Sequence, residues 1–369
     1  WVKLKAGDKF NEAIPNWREV GSGRSDSERM VITTYGNGPR PIVTLGFRGW
    51  LTRDRLNTTK GNLAIVGLHF YNPKRDPDSP QYTGEKGGGI GWLTDGQNLL
   101  IEDCKLTFSG ILLRGEPGFG MSDITIRRCI VFGAYNTEGH AQGILARGVE
   151  GLLLEENLFD RNGWNPDVPG AGRTIFNHNV YIQWDCKDVV FRGNITTRGS
   201  SFGIQLRSGG IAEDNLIARN SIGILAGGTS SSGARMPDGR DGFRSDFYRV
   251  SRNVILESDL TGWGVRLLTS RVAEANNNLV LNRQDGTTNS DAGIVLDDTT
   301  RLLGSDIDVS IHDNVVRNWA GSGGKSITVS DDNVAGFVSL QGNIVDGVRR
   351  DTGEPVTFVD ENRDLVSYV

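Results

Sequence analysis

The sequence is poor in cysteine, histidine and lysine, and it has no long apolar run. Its three cysteines, Cys104, Cys129 and Cys186, are too few for a disulfide framework or a cysteine-based metal cluster. No segment approaches the roughly 18 apolar residues that a membrane-spanning helix needs, so we expect no membrane segment. A net charge of −5 and a pI near 5.5 argue against a nucleic-acid partner.

Glycine and arginine are abundant instead. The chain has 50 glycines but only 11 prolines, which suits many tight turns better than disorder. Of the 40 basic residues, 9 are lysine and the other 31 are arginine. The planar guanidinium of arginine binds carboxylate and sulfate groups in a bidentate manner. Composition therefore favours a turn-rich protein whose basic side chains suit an acidic ligand.

One short pattern recurs along the chain: small, aliphatic, variable, aliphatic, variable. It is found at residues 110–114, 143–147, 179–183, 203–207, 223–227, 264–268 and 293–297. Because alternate side chains of a strand point to opposite faces, the second and fourth positions should point inward and the third and fifth outward. Each occurrence is predicted to be one strand of a repeating structure.

A second series places a cysteine or an asparagine at intervals of 21 to 38 residues. Its members are Cys104, Cys129, Asn157, Asn194, Asn215, Asn253, Asn278, Asn314 and Asn343. We expect them to stack at one corner of successive coils, with the asparagines in the left-handed conformation that this residue tolerates. The two cysteines should be buried members of the same ladder, and a disulfide between them is the alternative. A period of this length without helical periodicity predicts a parallel β-helix.

The intervals also define the expected domain organisation. The shortest give a coil of about 21–25 residues, and the longer ones place loop insertions near residues 158–178, 227–249 and 281–305. We predict one all-β domain of about ten coils over residues 1–369. It divides into N-terminal coils and a cap at 1–60, regular coils at 61–343 and a C-terminal cap at 344–369.

The strand pattern arranges the outward side chains of neighbouring coils in two columns. The third-position column is Leu112, Leu145, Tyr181, Gln205, Leu225 and Arg266, and the fifth-position column is Arg114, Arg147, Gln183, Arg207 and Gly227. Since adjacent strands lie about 4.8 Å apart, the polar members around Tyr181 should share a patch roughly 10 Å high. His178 is expected at its edge, and His140 near the corresponding edge one coil earlier.

This patch suits proton abstraction from an acidic sugar. Arg147 and Arg207 would neutralise a uronate carboxylate, and His178 or Tyr181 would transfer the protons, with His140 assisting. A histidine suits this role because its side chain titrates near neutrality. The reaction is the β-elimination of a polysaccharide lyase, and return of the proton from the opposite face would make the enzyme a uronate epimerase. We expect further substrate contacts from Gln183, Gln205, Asn177, Asn179, Trp164, Arg266 and Asp185.

Two other functions remain open. A glycoside hydrolase needs two carboxyls about 5.5 Å apart for retention, or about 6.5–9.5 Å apart for inversion. Asp160, Asp167 and Asp185 bracket the Tyr181 strand, and the pairs Asp297–Asp298 and Glu257/Asp259 lie further along. The other function is a non-catalytic carbohydrate-binding solenoid of the tailspike type, as a monomer or a homotrimer. No pattern requires a cofactor, although the aspartates leave Ca²⁺ as an option.

With coils and strands in place, the chain resembles the secreted right-handed parallel β-helix proteins that act on polysaccharides. Leu4-Lys-Ala-Gly-Asp8, Pro41-Ile-Val43 and Val66-Gly-Leu-His-Phe70 are similar to the N-terminal coils of alginate-lyase and chondroitinase-B-type lyases. The resemblance implies a pectate-lyase-like right-handed solenoid that degrades polysaccharide outside the cell, in the periplasm or on a phage tail. The Lys/Arg catalytic pattern of those lyases and the Asp-Pro-His signature of mannuronan epimerases have no counterpart here, so the resemblance assigns no catalytic residue.

Overall fold

The fold is built from short strands. The computed structural model describes residues 1–12, 22–50, 61–85, 88–94, 96–115, 120–228, 247–258, 261–268, 272–282, 289–297, 308–319, 325–329, 338–346 and 348–353. Within these ranges, the regular structure is 35 strands and one 3-10 turn at Pro73–Arg75. Numbered β1 to β35 in chain order, the strands form three sheets, here called sheets 1, 2 and 3.

The strands of each sheet are as follows. Sheet 1 contains β1 (Val2–Lys5), β3 (Met30–Tyr35), β6 (Gly61–Val66), β9 (Gly96–Glu102), β12 (Met121–Arg127), β15 (Val149–Glu155), β18 (Lys187–Arg192), β21 (Gly210–Glu213), β24 (Tyr248–Ser251), β27 (Val272–Asn276), β30 (Asp308–His312) and β33 (Val338–Ser339). Sheet 2 contains β2 (Lys9–Phe10), β4 (Ile42–Val43), β7 (His69–Tyr71), β10 (Lys105–Thr107), β13 (Ile130–Phe132), β16 (Leu158–Asp160), β19 (Ile195–Thr197), β22 (Leu216–Ala218), β25 (Val254–Leu256), β28 (Leu279–Leu281), β31 (Val315–Arg317), β34 (Ile344–Val345) and β35 (Val348–Arg349). Sheet 3 contains β5 (Phe47–Trp50), β8 (Ile90–Thr94), β11 (Ile111–Gly115), β14 (Gln142–Arg147), β17 (His178–Ile182), β20 (Phe202–Leu206), β23 (Ile222–Gly227), β26 (Thr261–Leu268), β29 (Asn289–Asp297) and β32 (Lys325–Val329).

The topology is that of a parallel β-helix, as the sequence predicts. Each regular coil contributes one strand to each sheet, and each strand pairs in parallel with the strands of the coils before and after it. The antiparallel exception is β35, which folds back on β34 where the C-terminal cap is expected to begin. Most of that cap, residues 354–369, lies outside the described residues. Within the described part of the chain, no helix is long and apolar enough to cross a membrane.

Inward-pointing aliphatic and aromatic side chains fill the interior. Val180 and Ile182 of β17 are fully buried, and so are Ile204 and Leu206 of β20, at the positions that the strand pattern assigns to the inner face. They belong to one continuous apolar cluster that runs along the helix axis. Removal of this apolar surface from water is the main stabilising contribution.

The asparagine ladder is confirmed, with a correction to its backbone. In a typical step, both the main-chain N–H of Asn194 and its side-chain amide donate to Oδ1 of Asn215, over 2.8 and 3.3 Å. The left-handed conformation belongs to the residue before the ladder position, with φ of 55° at Glu156 and 58° at Asp214. That preceding residue makes the bend, while the asparagine turns its amide inward to reach the next coil.

The two cysteines occupy the first positions of the same ladder. Both thiols are buried and free, so the alternative of a disulfide between them is wrong. The main-chain N–H of Cys129 donates to Oδ1 of Asn157 over 3.0 Å, whereas that of Cys104 reaches only the Cys129 sulfur, at 3.4 Å. Sulfur is a weak acceptor, so the ladder is weakest at this end.

The first expected insertion is the one that reaches the site. It connects β16 to β17 through residues 161–177, and it contains no strand. The other two fall largely on residues 229–246, 283–288 and 298–307, outside the described residues. Loops of this kind carry binding and catalytic groups on a rigid scaffold more often than the strands do.

Candidate functional site

The predicted outward columns of sheet 3 are confirmed by its register. Leu145 of β14 pairs with Tyr181 of β17, which pairs with Gln205 of β20. Leu225 and Arg266 continue the same column. The fifth-position column begins with the pairing of Arg114 and Arg147. It continues past the strand ends, because the Gln183 N–H donates to Ala146 O over 2.9 Å and the Arg207 N–H to Ile182 O over 3.0 Å.

Tyr181 and Arg207 are in direct contact on this face. Arg207 Nη1 donates to the phenol oxygen of Tyr181 over 2.9 Å, and Arg207 Nε donates to the carbonyl of Gly228 over 3.2 Å. The tyrosine side chain is half-buried, with its hydroxyl on the outer side of the sheet. The guanidinium therefore lies directly against the phenol oxygen.

His178 begins β17 and is 3% exposed. Its Nδ1 lies 2.6 Å from Ser201 Oγ, and that hydroxyl lies 2.6 Å from the carbonyl of Asn177. Since the carbonyl can only accept, the hydroxyl donates to it and accepts from Nδ1–H, which leaves Nε2 without a proton in the neutral ring. Burial lowers the pKa of His178 to about 3, with smaller contributions from His140 and Arg207. The expectation that this histidine titrates near neutrality is therefore wrong.

The buried imidazole holds the tyrosine ring in place. The centroids of the His178 and Tyr181 rings are 4.8 Å apart and the planes meet at 76°, an edge-to-face contact. The ring of Phe202 packs against the same imidazole at 5.0 Å. Gln142 fixes the approach to the strand, since its Oε1 accepts the His178 N–H over 2.6 Å and its Nε2 donates to Phe176 O over 3.0 Å.

His140 is exposed on the coil before His178. Its ring lies 5.6 Å from that of Phe176, and its carbonyl accepts a hydrogen bond from the Asn136 amide over 2.8 Å. Phe176 is itself 63% exposed. The pair forms an aromatic rim at the edge of sheet 3, on the side where the chain enters β14 and β17.

Two of the arginines that we expected to bind substrate form ion pairs with aspartates of the protein. Both Nε and Nη2 of Arg147 lie close to Asp185 Oδ2, at 3.2 and 3.1 Å. Arg266 pairs with Asp297, and its guanidinium also covers the ring of Trp263 at 4.0 Å. Asp185 thus balances the charge of Arg147, and joint neutralisation of one substrate carboxylate by Arg147 and Arg207 stays a prediction.

The expected substrate contacts of Asn177 and Asn179 are wrong, because both side chains lie in the wall of the coil. Asn177 is 3% exposed and spans from the Ala141 N–H to the Gly163 carbonyl. Asn179 is fully buried in a second asparagine ladder, between Asn162 and Asn220, with amide-to-Oδ1 distances of 2.9 Å. Every hydrogen-bonding group of these two amides serves the turns.

The remaining expected substrate contacts differ in accessibility. Trp164 is half-buried, its indole N–H donates to Arg198 O over 2.8 Å, and the guanidinium of Arg173 covers one ring face at 4.2 Å. Arg173 thus covers a face of the indole on which a sugar was expected to stack. Gln183 and Gln205 are half-buried on the outer side of sheet 3. Gln205 Oε1 is buried and has no hydrogen-bond partner among the described residues.

Each described carboxylate that the sequence offers for a hydrolase mechanism forms an ion pair with an arginine. Asp160 is held by Nε and Nη2 of Arg198, at 2.9 and 2.5 Å, and Asp167 pairs with Arg161 at 3.1 Å. Asp185 and Asp297 pair with Arg147 and Arg266, and Glu257 pairs with Arg219. Asp259 and Asp298 lie outside the described residues. Among the residues that the structure describes, no group of three or more His, Cys, Asp or Glu is placed to hold a metal ion such as Ca²⁺.

Some residues of the site carry no signal in the sequence. Ser201 sets the tautomer of His178, yet it is one serine among many in a turn. Arg75 and Tyr135 line a pocket beside Leu145, although they come from two different loops. Strand periodicity cannot locate such residues, since loop conformation decides where their side chains point.

Comparisons with known proteins agree with this architecture. Residues 59–235, just under half of the chain, match the family described as "Right handed beta helix region". The A-module of mannuronan C-5 epimerase AlgE4 from Azotobacter vinelandii superposes with a TM-score of 0.51 at 14% identity, over 98% of this chain and 89% of that one. A tailspike protein of E. coli bacteriophage HK620, solved in complex with a pentasaccharide, gives 0.53 at 12%, over 93% and 60%. Comparison with curated protein sequences gives no match.

At 12–14% identity, these similarities establish a shared fold and do not by themselves establish a shared function. The family match supplies the handedness, and the chain is a right-handed parallel β-helix. The expected resemblance to right-handed parallel β-helix proteins is thereby confirmed for the fold.

Proposed function

We propose that this right-handed parallel β-helix protein is a lyase that cleaves a uronic-acid-containing polysaccharide by β-elimination on the outer face of sheet 3. The observation that carries the proposal is the 2.9 Å hydrogen bond from Arg207 Nη1 to the phenol oxygen of Tyr181. This bond supports the proposal because it joins a phenol, which can transfer a proton, to a cation on the outer face of sheet 3. The named activities of the two structural neighbours, an epimerase for mannuronan and a tailspike with a bound pentasaccharide, favour a carbohydrate substrate.

In the proposed reaction Tyr181 acts first as base and then as acid. Its phenolate, stabilised by Arg207, takes the C5 proton of the uronate, and the C5–H electrons form the C4=C5 double bond. The C4–O bond breaks as this double bond forms, and the departing oxygen takes the proton back from the tyrosine hydroxyl. His178 does not act as the acid, because the buried ring is neutral and its one proton is donated to Ser201.

The contacts around Tyr181 favour the lyase over its alternatives. An epimerase needs a second proton donor on the opposite face of the sugar, whereas the described part of the Tyr181 patch offers one hydroxyl on one face. A hydrolase needs one protonated carboxyl as its acid, whereas Asp160, Asp167 and Asp185 each form an ion pair with an arginine. A binding solenoid needs no proton transfer at all. Secretion, and a monomeric or homotrimeric state, remain predictions.

Turnover of a panel of acidic polymers tests the proposal. Polygalacturonate, alginate, hyaluronan and chondroitin sulfate are incubated with the protein, and ultraviolet absorbance and reducing ends are followed together. We expect both signals to rise on at least one polymer, because elimination makes one C4=C5 bond for each new reducing end. Reducing ends without absorbance would indicate hydrolysis instead. Polymer binding without either signal would indicate the carbohydrate-binding solenoid.

A further inference from the structure

A pocket of about 240 Å³ opens on the outer face of sheet 3, one strand before Tyr181. Leu112 and Leu145 of the outward column form part of its lining, and the loops that precede and follow the strands supply Arg75, Ser109, Tyr135 and His140. Leu145 pairs directly with Tyr181. One wall of the pocket therefore lies on the strand next to that of Tyr181, at the strand spacing of about 4.8 Å.

The wall of this pocket contains a buried positive charge. Arg75 is 4% exposed, and its Nε and Nη1 donate to the carbonyls of Phe108 and Glu85, each over 2.7 Å. Its Nη2 donates to the carbonyl of Tyr135, whose ring lies 4.7 Å from the guanidinium carbon. The Glu85 carboxylate is bound by the Asn72 amide at 3.0 Å and by Lys74 at 3.2 Å.

The contacts of Arg75 within the described chain are thus carbonyl dipoles and an aromatic face. Burial lowers the pKa of this arginine, while the charge of Glu85 acts in the opposite direction. A buried cation whose hydrogen bonds all go to carbonyls gains from an anion brought into the adjoining cavity.

The other lining groups suit a sugar. Tyr135, Leu112 and Leu145 present apolar surface, as pyranose rings require, while Ser109 and the exposed His140 offer polar atoms at the rim. The volume is below the roughly 300–1,000 Å³ that holds a drug-sized ligand, so one monosaccharide unit fits better than a longer segment.

We infer that this pocket is a subsite for one hexuronate unit of the polysaccharide, with the carboxylate directed to the Arg75 side and the ring over Leu112 and Leu145. The inference rests on the proposed function for its substrate class. It adds the position of a neighbouring uronate, and with it a requirement for at least two acidic units along the chain. A polymer with isolated uronates would leave this subsite with a neutral sugar.

Binding of free monosaccharides tests the subsite without turnover. Saturation-transfer difference NMR is recorded with D-galacturonate and D-mannuronate, and with D-galactose and D-mannose as neutral counterparts. We expect a uronate to saturate the wild type at about tenfold lower concentration than its neutral counterpart, the size of one charge-assisted hydrogen bond. Leu145→Trp fills the pocket and should remove this binding. His140→Ala should weaken it a few-fold.

The matched control is Leu153→Trp. Leu153 is a half-buried outward leucine of the same coil, but it lies on β15 of sheet 1. This variant should bind like the wild type. Absence of uronate binding to the wild type, equal binding of neutral sugars, or unchanged binding in Leu145→Trp would each overturn the subsite. The subsite and the proposed function can be refuted independently. If the protein forms unsaturated product but does not bind the monosaccharides, only the subsite is refuted. If it binds a uronate in the pocket but forms no product, only the lyase is refuted.

Discussion

The phenol oxygen of Tyr181 accepts a hydrogen bond from Nη1 of Arg207, although the two residues lie on different coils. Their side chains leave adjacent strands from different outward columns, so the contact is a diagonal one across the sheet. The edge-to-face packing of His178 on the tyrosine ring limits the rotation that would break it. Rigid placement of a proton-transfer group beside a cation is what general acid–base catalysis on a sugar requires.

Replacement of Tyr181 by phenylalanine should abolish elimination and preserve the fold. The ring still packs on His178, but the proton-transfer group is lost, and we expect kcat to fall by about 10²–10⁴. The rate of absorbance increase on the best polymer measures this. Tyr35→Phe is the matched control, because this exposed tyrosine lies at the end of β3 in sheet 1, away from the site. Undiminished turnover in Tyr181→Phe would contradict the assignment.

Removal of the Asp185 charge should improve binding of an acidic polymer. Asp185→Asn keeps the shape of the side chain and releases the charge of Arg147 towards the substrate. We expect KM to fall about twofold to fivefold, the range of an exposed ion pair, with a steeper dependence on salt. Asp103→Asn, which breaks the distant pair with Arg40, should leave KM unchanged. Loss of activity in Asp185→Asn would favour the hydrolase instead.

His178 should make the protein less stable in acid. Its pKa is about 3 in the fold and about 6.5 in the unfolded chain, so the unfolded chain binds more protons between these values. Stability contributed by the neutral ring is complete above about pH 6.5 and declines as pH falls towards about 3, at up to about 1.4 kcal/mol per pH unit. Urea midpoints measured between pH 7 and pH 4 should fall less steeply for His178→Gln.

A control is needed because a second histidine behaves in the same way. Burial lowers the pKa of His69 to about 4, so it adds a decline of its own. His69→Gln should therefore keep the part of the slope that belongs to His178. Parallel curves for the wild type and His178→Gln would show that the histidine at this position is not buried in its neutral form.

Replacing a cysteine at the start of the ladder by asparagine should stabilise the protein. In Cys129→Asn, Oδ1 would accept the Cys104 N–H and Nδ2 would reach Asn157 Oδ1, in place of sulfur contacts of 3.4 Å and longer. We expect the free energy of unfolding to rise by about 1–2 kcal/mol, from one or two added hydrogen bonds. The reciprocal change, Asn215→Cys, should lower it by at least as much. Urea denaturation measures both, and shifts of the same sign would contradict the ladder.

Much of sheet 3 was predictable because it depends on local rules. The position of Tyr181 between Leu145 and Gln205 follows from two features of the sequence. One is the two-residue alternation of side chains along a strand, and the other is the repeat of the strand pattern from coil to coil. The burial of Cys104 and Cys129 follows from the same spacing. The left-handed residue was misplaced by one position, since the sequence shows which residue is polar but not which of two neighbours makes the bend.

The details of the site were less predictable, since they depend on contacts between coils. Arg147 points outward as expected, but its partner Asp185 lies in a turn. The alternation of side chains along strands does not determine the conformation of that turn. His178 is adjacent to the expected strand, yet the loop from residue 161 to 177 and the ring of Phe202 enclose it. That enclosure turns an expected titrating group into a neutral one, by removing it from water.

By itself, the sequence determined the coil length, the inward and outward sets of side chains in sheet 3 and the line of ladder residues. These depend on alternation and repetition, which each coil imposes on the next through hydrogen bonds of fixed spacing. The tertiary structure alone decided which charges are paired, which histidine is buried and where Arg75 faces an open pocket. Those properties arise where loops of different coils meet, and their energies depend on the solvent that the packing excludes.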